Sequence, residues 1–144
     1  MKLTIFLVAL LLSASPAIAE GLIYLECDVK ATETTIQAST NEVLEKRDLA
    51  TEGFYKIDTI NSRLTSDNSG DWEDATIVNG IATGQFNEVE NGVTVVGNAL
   101  IEFSPPGVFN MQYTASQDDI LLKMVMTGTC QNTDRETAEK GMNQ

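Results

Sequence analysis

The side chains that could do chemistry in this sequence are mostly carboxylates, and they are densest in one short segment. Residues 67 to 74 read Asp-Asn-Ser-Gly-Asp-Trp-Glu-Asp and contain the only tryptophan of the chain. The candidate site residues are Asp67, Asn68, Asp71, Trp72, Glu73 and Asp74. Carboxylate and amide oxygens suit Ca²⁺, but Gly70 precedes Asp71, which departs from the EF-hand order. We interpret the segment as an acidic loop that binds a basic partner, with a weak calcium site as the alternative.

Histidine is absent from the 144 residues, and this excludes several kinds of active site. A Ser-His-Asp or Cys-His site, a histidine general base and a histidine-ligated zinc or haem site all require it. A carboxylate-based hydrolase needs two acids at a defined separation. The sequence offers many such pairs without distinguishing one, and acids outside the loop add to them: Glu88, Glu90, Asp118 and Asp119. We therefore predict a non-enzymatic protein without a cofactor.

The first nineteen residues have the pattern of a cleaved Sec-type signal peptide. Lys2 gives a positive start, residues 3–12 are almost wholly apolar, and residues 15–19 end in the small-x-small pattern that signal peptidase recognises. The apolar run is shorter than the roughly 20 residues that a membrane-spanning helix needs. We predict cleavage between Ala19 and Glu20 and a mature chain that is exported without stable membrane insertion.

The charge balance bears on the partners of the protein. The chain has 9 basic and 21 acidic side chains, for a net charge of −12. A nucleic-acid surface needs clustered Lys and Arg, whereas the basic residues here are scattered. We predict no nucleic-acid partner. An acidic surface keeps an exported domain soluble and could also bind a basic protein.

The two cysteines of an exported chain are expected to form a disulfide, because the compartment is oxidising. Cys27 and Cys130 each lie on the apolar face of an alternating segment, residues 22–30 and 120–130. Bridged Cα atoms lie about 4.4 to 6.8 Å apart. The first and last strands should therefore be neighbours, and a meander whose ends meet is closed or nearly closed.

Alternation with a period of two continues between these segments and predicts an all-β fold. Further strands are expected at residues 32–38, 55–58, 75–79, 82–89, 93–103 and 108–114, for about eight in antiparallel order. This number suits a small lipocalin-like barrel, with a β-sandwich as the alternative. Asn79-Gly80 and Asn91-Gly92 predict tight hairpin turns, and Pro105-Pro106-Gly107 predicts another reversal. We expect a single β domain over residues 20–130.

One short helix is expected inside the domain. Ser39 and Glu42 have capping-box spacing, and Val43, Leu44 and Leu49 give a modest apolar side, which predicts a short helix at residues 41–50. The polar tail, residues 131–144, is either disordered or a short helix capped by a residue such as Asp134.

Bulky apolar side chains fall largely on the predicted inward faces, namely Phe86, Phe103, Phe109, Met111, Tyr113, Met124 and Met126. The run 93–103 has small residues midway, at Gly97 and Ala99, as happens where a strand bends or another backbone approaches closely. The bulky residues either fill the core or line a cavity for a small apolar ligand. A carrier of such a ligand is therefore the alternative function.

Four segments resemble small exported bacterial proteins of unknown function: Tyr24-Leu25-Glu26-Cys27, Phe54-Tyr55-Lys56-Ile57-Asp58, Thr83-Gly84-Gln85-Phe86 and Gly128-Thr129-Cys130. The resemblance spans most of the mature chain. It implies a β-rich fold and a periplasmic or secreted bacterial protein, and it brings no active site to carry over. The plan is also similar to periplasmic inhibitors of C-type lysozyme, but their Ser-Gly-x-Arg-Tyr motif has no match, because Asp71 and Trp72 follow Ser69-Gly70.

Overall fold

The computed structural model describes residues 21–144, which form nine strands and one helix. The predicted signal peptide and its cleavage site at Ala19 and Glu20 lie outside the described residues. The elements are β1 (Leu22–Gln37), β2 (Glu42–Asp58), β3 (Arg63–Thr65), β4 (Glu73–Asp74), β5 (Thr76–Val78), β6 (Ile81–Glu90), β7 (Val93–Phe103), β8 (Pro106–Gln117), β9 (Ile120–Asn132) and α1 (Arg135–Met142).

The strands form one antiparallel sheet that curls into a nearly closed barrel. Their order is β4-β3-β2-β1-β9-β8-β7-β6-β5, so the first and last long strands are neighbours. Cys27 lies opposite Cys130 in this pair, and the two are disulfide-bonded. The two edge strands, β4 and β5, are separated along the chain only by Ala75. The predicted small all-β barrel is therefore confirmed, and the sandwich alternative is wrong.

Closure of the barrel is confined to one end. β3 pairs with β2 only at residues 56–58, and β5 pairs with β6 only at residues 81–83. Within residues 21–144, no strand pairs with the rest of β2 on its β3 side or with residues 84–90 of β6 on its β5 side. The six long strands, which are β2, β1, β9, β8, β7 and β6 in sheet order, thus continue past the closed region as an open sheet. We call this part of the sheet the open end.

The predicted helix at residues 41–50 is wrong, because Asn41 belongs to a turn and residues 42–50 form the first part of β2. They pair with β1 in a register that places Arg47 opposite Glu33, and these two side chains form an ion pair. Ser39 does not cap a helix. Its amide and hydroxyl groups donate to the Asp119 carboxylate at 2.8 and 2.7 Å, which joins the β1–β2 turn to the β8–β9 turn. Long-range pairing has overridden a local capping signal.

Both Asn-Gly turns are confirmed as tight hairpin turns. Asn79 and Gly80 have φ of 51° and 77°, and Asn91 and Gly92 have φ of 51° and 80°, which is the conformation of a type I′ turn. A Cβ atom on Gly80 would also lie 2.0 Å from the Ser104 carbonyl oxygen. Only glycine fits there, because the β5–β6 turn packs directly against the β7–β8 reversal.

The barrel interior contains the side chains that alternation placed on the inner face. Leu25, Cys27 and Ile57 are fully buried, as is Phe109, whose ring centroid lies 5.2 Å from that of Tyr55. Of the bulky residues predicted to face inward, Phe103, Phe109 and Met124 are buried, while Phe86, Met111, Tyr113 and Met126 are half-buried. The core prediction is correct for the first group, and three of the second group line a cleft.

The C-terminal tail forms helix α1, which packs on the outer face of the barrel. The Asp134 carboxylate caps it by accepting from the Thr137 amide at 2.8 Å. Ala138 is fully buried, and the Phe54 ring lies against Gly141. Within residues 21–144, the chain has no helix with the length and apolar character to cross a bilayer.

Candidate functional site

A cleft of about 290 Å³ opens between β2 and β6, and we call it the acidic cleft. Its floor is apolar and aromatic, and consists of Tyr55, Leu64, Phe86, Val95, Met111 and Tyr113. Its rim is polar, with Thr65 and Ser66 beside four carboxylates, those of Asp67, Asp71, Glu73 and Glu88. None of these lining residues is basic. Two features that the sequence left separate, the acidic loop and the inward aromatic side chains, thus meet at one place.

Gly97 makes room for the aromatic part of the floor. Phe86, Gly97 and Tyr113 are directly opposite one another in β6, β7 and β8. The two ring centroids are 6.4 Å apart. A Cβ atom on Gly97 would lie 2.6 Å from Phe86 Cζ and 2.5 Å from the Gln112 carbonyl oxygen. The small residue in the middle of β7 therefore allows two rings to approach across the strand. The close backbone neighbour that the sequence predicted is the Gln112 carbonyl oxygen, whereas the ring contact was not predicted.

Tyr55 adds a neutral aromatic ring to the floor. Its side chain is buried, and burial raises the pKa of its hydroxyl to about 12. The hydroxyl is therefore uncharged at neutral pH. The negative charge of the cleft is thus concentrated on the rim, above an uncharged surface.

The rim loop is ordered by its own hydrogen bonds and by helix α1. The Asp67 carboxylate accepts from the Ser69 hydroxyl and from the Ser69 amide, and these bonds lower the pKa of Asp67. The Ser69 hydroxyl oxygen also accepts from the Asp71 amide at 3.3 Å, and the Asp71 carboxylate lies 3.1 Å from it. Asn68 points away from the cleft, and its amide donates to the Glu139 carbonyl of α1 at 2.7 Å. The helix therefore holds the loop, a role that the sequence did not reveal.

Trp72 and Asp74 do not line the cleft. The half-buried Trp72 ring has the Arg63 guanidinium 4.4 Å from its centroid and the Lys56 ammonium at 5.7 Å. Asp74 belongs to β4 and pairs with Arg63 in the sheet. Of the six candidate residues, the structure brings Asp67, Asp71 and Glu73 to the cleft. Glu88 joins them from β6, because the curl of the sheet brings that strand opposite the loop.

Asp58 fixes the β2–β3 turn from which the rim loop begins. Its buried carboxylate accepts from the Ile60 and Asn61 amides, from the Asn61 side chain at 2.8 Å and from Arg63 Nε at 3.0 Å. Burial acts to raise the pKa of Asp58, but the hydrogen bonds from Asn61, Arg63 and Ile60 outweigh it and lower the pKa to about 2.

We expect this carboxylate to make the stability of the protein fall between about pH 4 and pH 2. Its folded-state pKa of about 2 lies below the ordinary value of 3.8, so its contribution is complete above pH 3.8 and is lost as the pH falls through 2. The contribution is roughly 2 kcal/mol. Urea unfolding of the wild type and of Asp58→Asn should differ most at pH 6 and converge near pH 2. The exposed control Asp28→Asn should change little, and a constant difference for Asp58→Asn would contradict the assignment.

Of the acids that the sequence singles out beyond the loop, Glu88 lines the cleft and Asp119 does not. Asp119 accepts from Ser39 and Gln37 at the turn described above, and these bonds lower its pKa. In residues 21–144, the carboxyl groups with a shifted pKa, those of Asp58, Asp67, Asp119 and Asp134, are all shifted downward by hydrogen bonds. Within the part of the chain that the structure describes, no three acidic or cysteine side chains are grouped in a way that would hold a metal ion. The calcium interpretation of the loop stays an alternative prediction.

A larger depression of about 1170 Å³ lies on the outer face beside Phe54 and Gly141. It is lined by side chains of both signs, including Asp28, Lys30 and Glu52. Because acidic and basic side chains are mixed there, its charge does not favour a basic partner as clearly as that of the acidic cleft does.

Comparisons with protein families, with curated proteins and with solved structures found no match to this chain. The resemblance to small exported bacterial proteins therefore stays a prediction, and the geometry of the acidic cleft is what bears on function.

Proposed function

We propose that this protein is an exported, non-enzymatic domain that binds a basic partner protein at the acidic cleft. The main observation behind the proposal is that an aromatic floor meets four rim carboxylates and that none of the lining residues is basic. A Lys or Arg side chain has an apolar stem and a cationic head. Its stem can cover the rings of Phe86 and Tyr113 while its head reaches the carboxylates, and a cation over an aromatic face adds to the attraction.

The size of the cleft favours a protein partner over a carried ligand. Drug-sized ligands occupy cavities of roughly 300 to 1,000 Å³, and the acidic cleft, at about 290 Å³, is at the lower limit. This volume suits one or two anchoring side chains of a larger partner, in the manner of an interface hot spot. The apolar floor also supports the alternative, a carrier of a small apolar ligand, but the acidic rim does not.

Export to the periplasm or the exterior rests on the signal-like first nineteen residues. The Cys27–Cys130 disulfide is compatible with it, because structural disulfides persist in oxidising compartments. The acidic surface is compatible with a protein that works among basic partners at a cell envelope.

A charge reversal on the rim is expected to weaken binding of a basic probe by about tenfold. The probe is a short fluorescent peptide in which lysine alternates with valine and with one central phenylalanine, and the variant is Glu73→Lys. Fluorescence anisotropy should show binding to the wild type that weakens as salt rises from about 0.05 to about 0.3 M, because screening is stronger.

Asp28→Lys is the matched control, because Asp28 is exposed on the outer face and the variant has the same net charge as Glu73→Lys. It should retain binding within about twofold. Equal losses in the two variants would mean that net charge alone attracts the peptide, and would count against a site at the cleft. Lack of binding to the wild type at low salt would overturn the proposed function.

A further inference from the structure

One wall of the acidic cleft is a strand edge without a neighbour. β6 pairs with β7 along its whole length, whereas β5 pairs only with residues 81–83 of β6. In the described part of the chain, residues 84–90 therefore have no strand on their other side. Such an edge presents a row of main-chain donors and acceptors that can pair with another chain. Phe86 and Glu88 of this edge also line the cleft.

Building on the proposed function, we propose that the basic partner binds as an extended strand, which pairs with residues 84–90 of β6 and directs alternate side chains into the acidic cleft. This is the strand-addition mode of peptide recognition, in which main-chain hydrogen bonds give affinity and pockets for alternate side chains give specificity. The edge and the cleft are contiguous, so one extended segment satisfies both.

The carboxylates around the acidic cleft favour a basic strand over a second copy of β6. The inner-face side chains along the edge include Phe86, Glu88 and Glu90, and the far rim carries Asp67, Asp71 and Glu73. A strand between these two rows meets carboxylates on both sides, so cationic residues at alternate positions fit, with an apolar residue beside Phe86. A second copy of β6 would place Glu88 and Glu90 among these same acids, and like charges in opposed positions are destabilising.

The free edge of β2 is a poorer candidate for the same basic strand. Its exposed charged residues are of mixed sign, with Lys46 and Arg47 among four acidic residues between positions 42 and 52. A cationic segment would meet these two basic side chains at the β2 edge, whereas the charged residues of the β6 edge, Glu88 and Glu90, are both acidic.

The face of β6 is uncovered near the start of this edge. A groove of about 750 Å³ lies there and is lined by residues 74–76, 83–85 and 98–100. A Cβ atom on Gly84 would meet nothing nearer than the Asp74 carbonyl oxygen at 3.8 Å. The segment from β4 to β5 therefore lies beside the first residues of the edge without covering their inner face.

N-methylation of the lysine–valine probe tests the proposal on the unaltered protein. In an added strand only alternate amide groups point at β6, and for a given strand direction the alternation of lysine with valine fixes which ones. Two probes carry N-methyl groups on the odd or on the even residues. One should bind at least about tenfold more weakly than the parent peptide, and the other should bind within about threefold of it. Amide exchange of β6 should slow at alternate residues between 84 and 90 when the parent peptide binds.

The possible failures are distinguishable. Equal effects of the two methylation patterns would overturn strand addition, whether both probes bind or neither does. The proposed function would still stand, because it rests on the salt-dependent binding of the parent peptide. Unchanged amide exchange across β6 would do the same. A parent peptide that does not bind at low salt would overturn both.

Discussion

Replacement of both Cys27 and Cys130 with alanine is expected to lower the free energy of unfolding by about 4 kcal/mol. The disulfide joins residues that are 103 positions apart, so its loss frees nearly the whole domain in the unfolded state. In the folded state the same variant leaves β1 and β9 held by their pairing alone. For a domain of this size the midpoint of thermal unfolding should fall by roughly 12 to 20 °C, which circular dichroism measures directly.

Reduction of the wild type provides the control for this prediction. Reduced wild type and the double alanine variant should unfold at similar temperatures, because both lack the crosslink. A variant within about 1 kcal/mol of the oxidised wild type would contradict the prediction, since it would show that the closed loop contributes little. A variant much less stable than the reduced wild type would instead show that packing of the two buried sulfur atoms dominates.

Phe109→Ala is expected to cost about 4 kcal/mol, because it removes a fully buried ring from the centre of the barrel. The ring packs against Tyr55, which forms part of the cleft floor, so the variant also leaves an unfilled space behind that floor. Chemical unfolding should show a large fall in the transition midpoint. The lysine–valine probe should bind the variant more weakly at temperatures where it remains folded.

Val108→Ala is the matched control, because Val108 precedes Phe109 in β8 and its side chain is exposed on the outer face. It should change the free energy of unfolding by less than about 0.5 kcal/mol. Comparable losses of stability in the two variants would contradict the assignment of the Phe109 side chain to the inner face of β8 and of the Val108 side chain to its outer face. Phe109→Leu should lie between the two, because it retains much of the buried volume.

Local and periodic signals were sufficient for most of the fold. Alternation assigns each residue to a face without any knowledge of the partner strand, and the Asn-Gly pairs specify their own turns through the left-handed conformation. The cysteines supplied the long-range constraint that the prediction needed. Because Cys27 and Cys130 both belong to inner faces, pairing them fixes β1 beside β9 and closes the order of strands.

The errors arose where local signals and long-range pairing disagree. Ser39 and Glu42 have the spacing of a capping box, yet residues 42–58 gain an entire ladder with β1 by extending. The short strands β3 and β4 had no signal of their own, because runs of two or three residues show no periodicity. They are positioned by the buried Asp58 and by the packing of Arg63 on Trp72.

The site was only half predictable for a related reason. The acidic loop could be recognised as dense charge, but Glu88 contributes to the cleft through the curl of the sheet, which depends on every strand between β6 and β2. The packing of Trp72 against Lys56 and Arg63 was also not predictable from the sequence. These two residues are separated from it along the chain and approach it only through the β2–β3 hairpin.

The pairing of β1 with β9 also bears on the order in which the molecule can be assembled. The chain is made from its amino end, so β1 and β2 can form their hairpin early, whereas β9 becomes accessible last. Loop closure over so long a separation is entropically costly and slow compared with hairpin formation. Until β9 arrives, β1 has an exposed edge and the apolar inner face is uncovered, which is the state most prone to aggregation. Truncation before residue 120 should therefore yield an insoluble chain rather than a smaller barrel.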